Sequence, residues 1–318
     1  MKSACFVGID TSNYTTSAAI CTLEGEVIAN LKRPLPVKEG ECGLRQSDAV
    51  FAHVKNLPSL MEELSAALEG REILAVGVSA TPRSVEGSYM PCFLSGISAA
   101  RALATGANAP LYSFSHQDGH VMAALYSSNA LGRIENAPFL AFHVSGGTTE
   151  ALLVEAAENG FAIEQVGGTL DINAGQAIDR AGVMMGLQFP CGKEMEALAN
   201  TYLGKLPVSR ICVKDAYCNL SGLQNLAEKL WRETGDRAIV SAFVFDFVGK
   251  TLSRMTKDLD ARFSDYPVVY AGGVMSNQGL QSLLKQRKNT YFAEPSFSAD
   301  NAAGVALLCR GRYLREHL

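Results

Sequence analysis

The segment Ser115-His116-Gln117-Asp118-Gly119-His120 carries the most specific chemistry in the chain. Ser115 and Asp118 make an S-x-x-D pair, the signature of a helix start, which predicts a helix beginning at His116. His116 and His120 then stand at i and i+4 on one helix face, a spacing at which two imidazoles can hold one metal ion. Two imidazoles do not complete such a site, so a carboxylate or water must join them. Asp300, in Ser298-Ala299-Asp300-Asn301, is one candidate. It either caps the last helix or turns an oxygen to the ion, and the residues alone leave both open. Gly119 in a first helical turn costs about 1 kcal/mol against alanine, which predicts that something approaches the backbone there. No nucleophile–base pair and no HExxH accompanies the histidines, which argues against a peptidase.

Several turns look built for anions. Residues 8–20 read as strand, polar turn and strand, and residues 142–154 repeat the pattern about 135 residues later. In each copy a strand runs into small hydroxylic or glycine residues, Asp10-Thr11-Ser12 and Ser145-Gly146-Gly147, whose N–H groups and hydroxyls suit phosphate. Further on, Asp171 or Asn173 is placed to cap a helix, and Asp179-Arg180 lies two turns in. Gly192 sits in a turn where backbone can approach a ligand. Ala271-Gly272-Gly273 through Asn277 reads as strand, double glycine and helix start, over which a flat base or ribose can slide.

These residues need a scaffold. Apolar runs at 4–9, 27–31, 73–79, 140–144, 151–154, 268–271 and 290–293 read as strands. Helical spacing marks 50–68, with Pro58 as a candidate bend, and 92–104, 174–185, 194–203, 237–262, 279–288 and 301–316. Strands alternating with helices indicate an α/β protein. The 318 residues suffice for about two domains, and no low-complexity linker separates them. Eight cysteines are scattered without a CxxC pair, which argues against a zinc ribbon and a secreted disulfide scaffold. No apolar run reaches the ~18 residues of a membrane span, and residues 1–10 do not read as a signal peptide. A cytoplasmic protein without membrane attachment is expected. The net charge of −4 predicts that any nucleic acid is held with a partner's help.

Taken together, Asp10-Thr11-Ser12, His116-xxx-His120, Ser145-Gly146-Gly147, Gly175 to Asp179, Phe189-Pro190-x-Gly192, Ser221-Gly222-Leu223, Ala271-Gly272-Gly273-x-x-x-Asn277 and Asp300-Asn301 occur in the order and near the spacing of one family. The chain resembles, over nearly its whole length, the TsaD family of tRNA N6-threonylcarbamoyladenosine synthase subunits, formerly called glycoproteases. The resemblance implies an actin/Hsp70/sugar-kinase-like (ASKHA) fold: two related RNase H-like lobes with a cleft between them. Lobe I would span 1–130, with the helix at 300–318 packing back on it, and lobe II 131–299. It implies one divalent metal ion, iron or zinc, on His116, His120 and Asp300. Substrate contacts would come from His143, Val144, Ser145, Gly146, Gly147, Asp179, Gly192 and Asn277. Nucleotide contacts, to threonylcarbamoyl-AMP, AMP or ATP, would come from Asp10, Ser12, Gly272 and Gly273. No residue is assigned as catalytic.

The implied reaction moves a threonylcarbamoyl group from threonylcarbamoyl-AMP to N6 of the adenine 3′ of the tRNA anticodon. The implied partners are tRNA held through partner subunits, and TsaB-like and TsaE-like proteins or a second copy of the chain. The sequence also departs from the family. Tyr14, Thr15, Ile172 and Gln176 stand where the family has acids, Thr148 replaces a histidine, and of a longer stretch near 46–53 only His53 is kept. These changes predict that nucleotide binding survives while transfer is weak or redirected. The alternatives are a divergent nucleotide-binding or non-catalytic paralogue, or an ASKHA carbamoyltransferase or kinase with another substrate.

Overall fold

The computed structural model describes residues 3–12, 14–36, 44–134 and 137–317. In chain order the elements are β1 (Ala4–Asp10), β2 (Thr15–Thr22), β3 (Val27–Pro34), α1 (Gln46–Leu68), β4 (Glu72–Thr81), α2 (Phe93–Ala107), β5 (Leu111–Ser115), α3 (His116–Ser127), β6 (Phe139–Val144), β7 (Thr149–Ala157), β8 (Gly160–Thr169), α4 (Ala174–Met184) and α5 (Gly192–Ala199). Then follow β9 (Cys212–Lys214), β10 (Tyr217–Asn219), α6 (Ser221–Thr234), α7 (Arg237–Asp260), β11 (Val268–Ala271), α8 (Gln278–Leu284), β12 (Thr290–Phe292), α9 (Pro295–Ser298) and α10 (Ala303–His317). Contacts divide the chain into a first unit (Met1–Ser127, Ala156–Ala162, Ser296–Leu318) and a second (Ser128–Glu155, Ile163–Pro295).

The first unit holds a five-stranded sheet ordered β3-β2-β1-β4-β5. β1, β2 and β3 form an antiparallel meander, and β4 and β5 run parallel to β1. β1 is buried on both faces, so its sequence reads as an unbroken apolar run rather than an alternation. One face, with Cys5, Val7 and Ile9, packs into a core with Leu60 and Leu64 of α1 and Ala100 of α2. The other face receives α10. A side-chain carbon at Gly8 would lie 2.5 Å from Ala302 O, and one at Gly77 would lie 2.9 Å from Val305 O. Two facing glycines, paired across β1 and β4, thus let the helix sink onto the sheet. Residues 303–309 of α10 are all buried, which their small and apolar side chains permit.

The second unit holds seven strands ordered β12-β11-β6-β7-β8-β10-β9. Its β6–β7 hairpin is antiparallel, and β11 and β12 run parallel to β6. The run β8-β7-β6-β11-β12 therefore repeats β3-β2-β1-β4-β5. The strand–turn–strand similarity between residues 8–20 and 142–154 belongs to this repeated plan. The core of this unit gathers around α7, whose Phe243, Val244, Phe247, Val248 and Leu252 are buried.

Four readings from the sequence shift in detail. α5 and α8 begin two and one residues earlier than expected, and each ends four residues sooner. Pro58 lies inside α1, which runs through it. Asp171 does not cap α4; Asn173 stands at that N-cap. Instead the Asp171 carboxylate accepts from Leu220 N (2.8 Å), Ser221 N (3.0 Å) and Ser221 Oγ (2.6 Å), so it holds the start of α6. Those bonds outweigh the upward push of partial burial and lower its pKa. No helix among the described residues is long and apolar enough to cross a membrane.

Candidate metal centre

The expected helix start forms. Ser115 Oγ donates to Asp118 Oδ2 at 2.7 Å, and Asp118 N donates back to Ser115 Oγ at 3.1 Å. α3 begins at His116, and both imidazoles fall on one face. Asp118 is fully buried and also accepts from Ser84 Oγ (2.9 Å) and Phe161 N (3.1 Å), which ties down the turn that carries the histidines.

The backbone approach predicted at Gly119 comes from α10, not from a ligand. A side-chain carbon on Gly304 would lie 1.9 Å from Gly119 O. Glycine at this crossing lets α3 and α10 touch through their backbones. The crossing brings the segment ahead of α10 over the histidine face. There Asn301 takes the capping role, with Ala303 N donating to Asn301 Oδ1 at 3.1 Å. That division of labour leaves the Asp300 carboxylate turned to the imidazoles. Its Oδ1 lies 3.2 Å from His120 Nε2 and 3.6 Å from His116 Nε2, and the two Nε2 atoms are 2.9 Å apart.

This triangle fits an ion. With bonds of about 2.0–2.2 Å, ligand atoms stand about 3.0 Å apart on an octahedral face and about 3.4 Å apart in a tetrahedron, and the observed 2.9, 3.2 and 3.6 Å span both. Two imidazole lone pairs at that separation repel unless a proton or a cation sits between them. Burial raises the pKa of Asp300, but the bond from His120 and the facing imidazoles hold it below the ordinary carboxylate value.

Asp10 makes the site directional. Its carboxylate, wholly buried at the end of β1, accepts from Ser12 N (2.7 Å) and from the Ser79 hydroxyl, and it meets His116 Nδ1 at 2.8 Å. An Nδ1–H pointed at a carboxylate leaves Nε2 as the lone-pair donor. Asp10 was expected among nucleotide contacts. Both its oxygens are engaged in the interior, one of them with the His116 imidazole. We predict that Asp10→Asn weakens divalent metal binding by about 10- to 100-fold with the fold retained, read by competition titration of zinc.

Burial alone would lower the pKa of His116, but the Asp10 charge and hydrogen bond overcome it and raise the value to about 9. The folded value lies above the ordinary 6.5. The proton's stabilising contribution to the metal-free protein is therefore full below about 6.5 and lost as pH rises through about 9. A metal ion must displace that proton. Apparent zinc affinity should climb steadily between pH 6.5 and 8.5, with proton release measurable by calorimetry in buffers of different ionisation heat. A flat profile would contradict the Asp10–His116 pairing.

The remaining expected residues have settings of their own. Ser12 is buried, and its Oγ has no partner among the described residues. In the second unit, Val144 is buried at the end of β6, and His143 precedes it. Ser145 N bonds Thr148 O, and Ser145 Oγ accepts from Gly147 N (3.3 Å) and Thr148 N (3.1 Å). Gly146 and Gly147 are exposed. Gly175 at the start of α4 lies against this turn: a side chain there would meet Gly146 N at 2.6 Å. Asp179 Oδ1 accepts from Cys191 N at 2.8 Å, and burial raises its pKa. Gly192 opens α5 with space around it.

Gly272 has φ +101°, and a side-chain carbon there would lie 2.2 Å from Val144 O. Its lack of a side chain is required by β6, whereas Gly273 is open to solvent. Asn277 caps α8 through Leu280 N at 2.9 Å. His53 is a buried anchor between α1 and β2, bonded to Thr16 Oγ1 at 2.9 Å, and burial lowers its pKa to about 4. The sequence reading missed Ser79. Strand register shows it, since β4 pairs Ile9 with Val78 and so sets Ser79 beside Asp10.

A family model described as TsaD, tRNA N6-adenosine threonylcarbamoyltransferase, matches residues 37–307. The chain belongs to the TsaD family. A tRNA N6-adenosine threonylcarbamoyltransferase of Streptococcus suis (strain 05ZYH33) is 30% identical over 332 residues, covering 100% of this chain and 95% of that relative. Among solved structures, full-length HypF superposes with a TM-score of 0.59 and 11% identity, covering 99% of this chain and 56% of HypF. A ROK family glucokinase from Streptomyces griseus gives a TM-score of 0.52 at 11% identity, covering 97% of this chain and 100% of the glucokinase. These likenesses establish the ASKHA fold.

Proposed function

We propose that this TsaD-family chain catalyses threonylcarbamoylation of tRNA at N6 of the adenine 3′ of the anticodon, with threonylcarbamoyl-AMP as donor and AMP as leaving group. The observation that carries this reading is the His116–His120–Asp300 triangle, oriented from behind by Asp10. The three side chains would hold one divalent ion, iron or zinc. Bound there, the ion would act as a Lewis acid and offset charge on the departing phosphate.

The protein's own groups supply the rest. Asp10 keeps the His116 proton on Nδ1, so the imidazole presents Nε2. Asp118 and the α3–α10 contact fix the separation of the ligands. In the second unit, Gly146 and Gly147 are exposed in a turn where Gly147 N and Thr148 N donate to Ser145 Oγ at 3.3 and 3.1 Å. A phosphate oxygen can replace that hydroxyl as acceptor. Gly273 and Gly192 leave space for a ligand beside their backbone. The net charge of −4 supports tRNA docking through partner subunits of the TsaB and TsaE type, or through a second copy of the chain.

One observation favours a weakened enzyme. Gln176, where the family has an acid, accepts from Asn173 N at 3.1 Å as part of the α4 start. It brings no charge to a second cation. The test is transfer of labelled threonylcarbamoyl to unmodified tRNA by the purified chain, alone and with its partner proteins. Modification that requires the partners is expected. Normal tRNA modification in a deletion strain, with no transfer in any mixture, would replace this reading with a nucleotide-binding paralogue.

A further inference from the structure

Lys32 has no role in the site described so far. On β3 it pairs with Ser17 of β2, and Ser17 pairs in turn with Asp10 of β1. Directly opposed residues of neighbouring strands place their side chains on one face of the sheet. Asp10, Ser17 and Lys32 therefore form one rung of carboxylate, hydroxyl and ammonium. It lies on the face where Gly8 seats α10. Two strand spacings, about 10 Å, separate the backbones of Lys32 and Asp10.

The Lys32 ammonium reaches the segment that leads to Asp300. It donates to Ser296 O at 2.5 Å, four residues before Asp300. Burial lowers its pKa and the Asp300 carboxylate raises it, so the two groups feel one another. An ammonium carries three N–H donors. One meets Ser296, and the other two meet no acceptor among the described residues.

A fixed cation beside a metal site works against the metal. With neutral imidazoles, Asp10 and Asp300 balance a divalent ion, and Lys32 leaves one positive charge in excess. That excess suits a ligand that brings negative charge of its own. The Ser12 hydroxyl, two residues past Asp10, is buried and has no partner among the described residues, so it is a neutral donor near the same rung.

We propose that Lys32 is an oxyanion anchor of this face, binding a phosphate or carboxylate group of the ligand that engages the metal centre. The proposal rests on the metal reading above, and its test separates the two. AMP, inorganic phosphate and L-threonine are titrated calorimetrically into wild type, Lys32→Met and Lys32→Arg, each metal-free and zinc-loaded, with circular dichroism to verify folding. Lys32→Gln replaces the methionine variant if that one misfolds.

Lys32→Met should lose about tenfold or more in affinity for at least one anion, and Lys32→Arg should stay within about threefold of wild type. Zinc affinity of Lys32→Met should equal or exceed wild type, because a repelling charge is gone. Losses for AMP and phosphate together identify a phosphoryl group, and a loss for threonine alone identifies a carboxylate. Equal anion affinities in wild type and Lys32→Met, or no anion binding by wild type, would overturn the proposal. So would a loss of zinc affinity in Lys32→Met, which would make the lysine a clamp on the Ser296 turn. Failure of wild type to bind zinc would refute the metal reading by itself, and the metal-free titrations would still decide the role of Lys32.

Discussion

Asp300→Ala should release the bound ion and lower transfer by about 10³-fold or more while leaving the protein folded, because the loss of Lewis-acid stabilisation is worth several kcal/mol. The expectation follows from the division of roles between two adjacent residues. Asp300 faces His116 and His120, whereas Asn301 supplies the oxygen that Ala303 N needs at the start of α10. Removing the carboxylate takes away a ligand and no cap. Asn301→Ala should do the reverse: a lost cap costs about 1 kcal/mol of stability, and metal content should stay near stoichiometric. Metal analysis after dialysis, with the unfolding midpoint in urea, reads both outcomes. Equal metal retention in the two variants would show that Asp300 is not a ligand.

Gly304→Ala should destabilise the protein by about 3 kcal/mol, although alanine is the better helix former by about 1 kcal/mol. The added carbon would stand 1.9 Å from Gly119 O, inside any allowed contact. Neither helix can yield locally. Residues 303–309 of α10 are buried, and Gly8 and Gly77 hold the helix from the sheet side. Displacing α10 also carries Asp300 away from the imidazoles, so metal affinity should fall together with stability. Gly106→Ala in α2, with nothing within 4 Å of the new carbon, should leave stability unchanged or slightly raised. Denaturant unfolding and zinc titration of both variants measure the difference. A Gly304→Ala protein with wild-type stability and metal affinity would refute the close α3–α10 contact as the feature that assembles the site.

Features with a local cause are legible in the residues alone. An S-x-x-D pair ahead of two histidines is enough to set a helix start and the face that carries both imidazoles, because capping and the 3.6-residue repeat act within one turn. Strand runs and the repeated strand–turn–strand unit were legible for the same reason, since burial on both faces of β1 leaves a continuous apolar signature. Family motifs singled out Asp300 as the candidate third ligand, which spacing could not do.

Tertiary structure decided everything that depends on register or on helix crossing. Asp300 and Asn301 are both good caps in sequence. Only the place where α10 meets α3 determines which one turns to the imidazoles. Asp10 reads as a phosphate-loop acid, yet the pairing of β1 with β4 sets Ser79 beside it, and α3 brings His116 to its oxygen. Gly119 and Gly272 announced close approach without saying by what, and the answers were a helix and a strand carbonyl. Lys32 carries no motif at all. Its position follows from two successive strand registers, and residues 106 apart in the chain, such as Asp10 and His116, meet only when the sheet and its covering helices are complete.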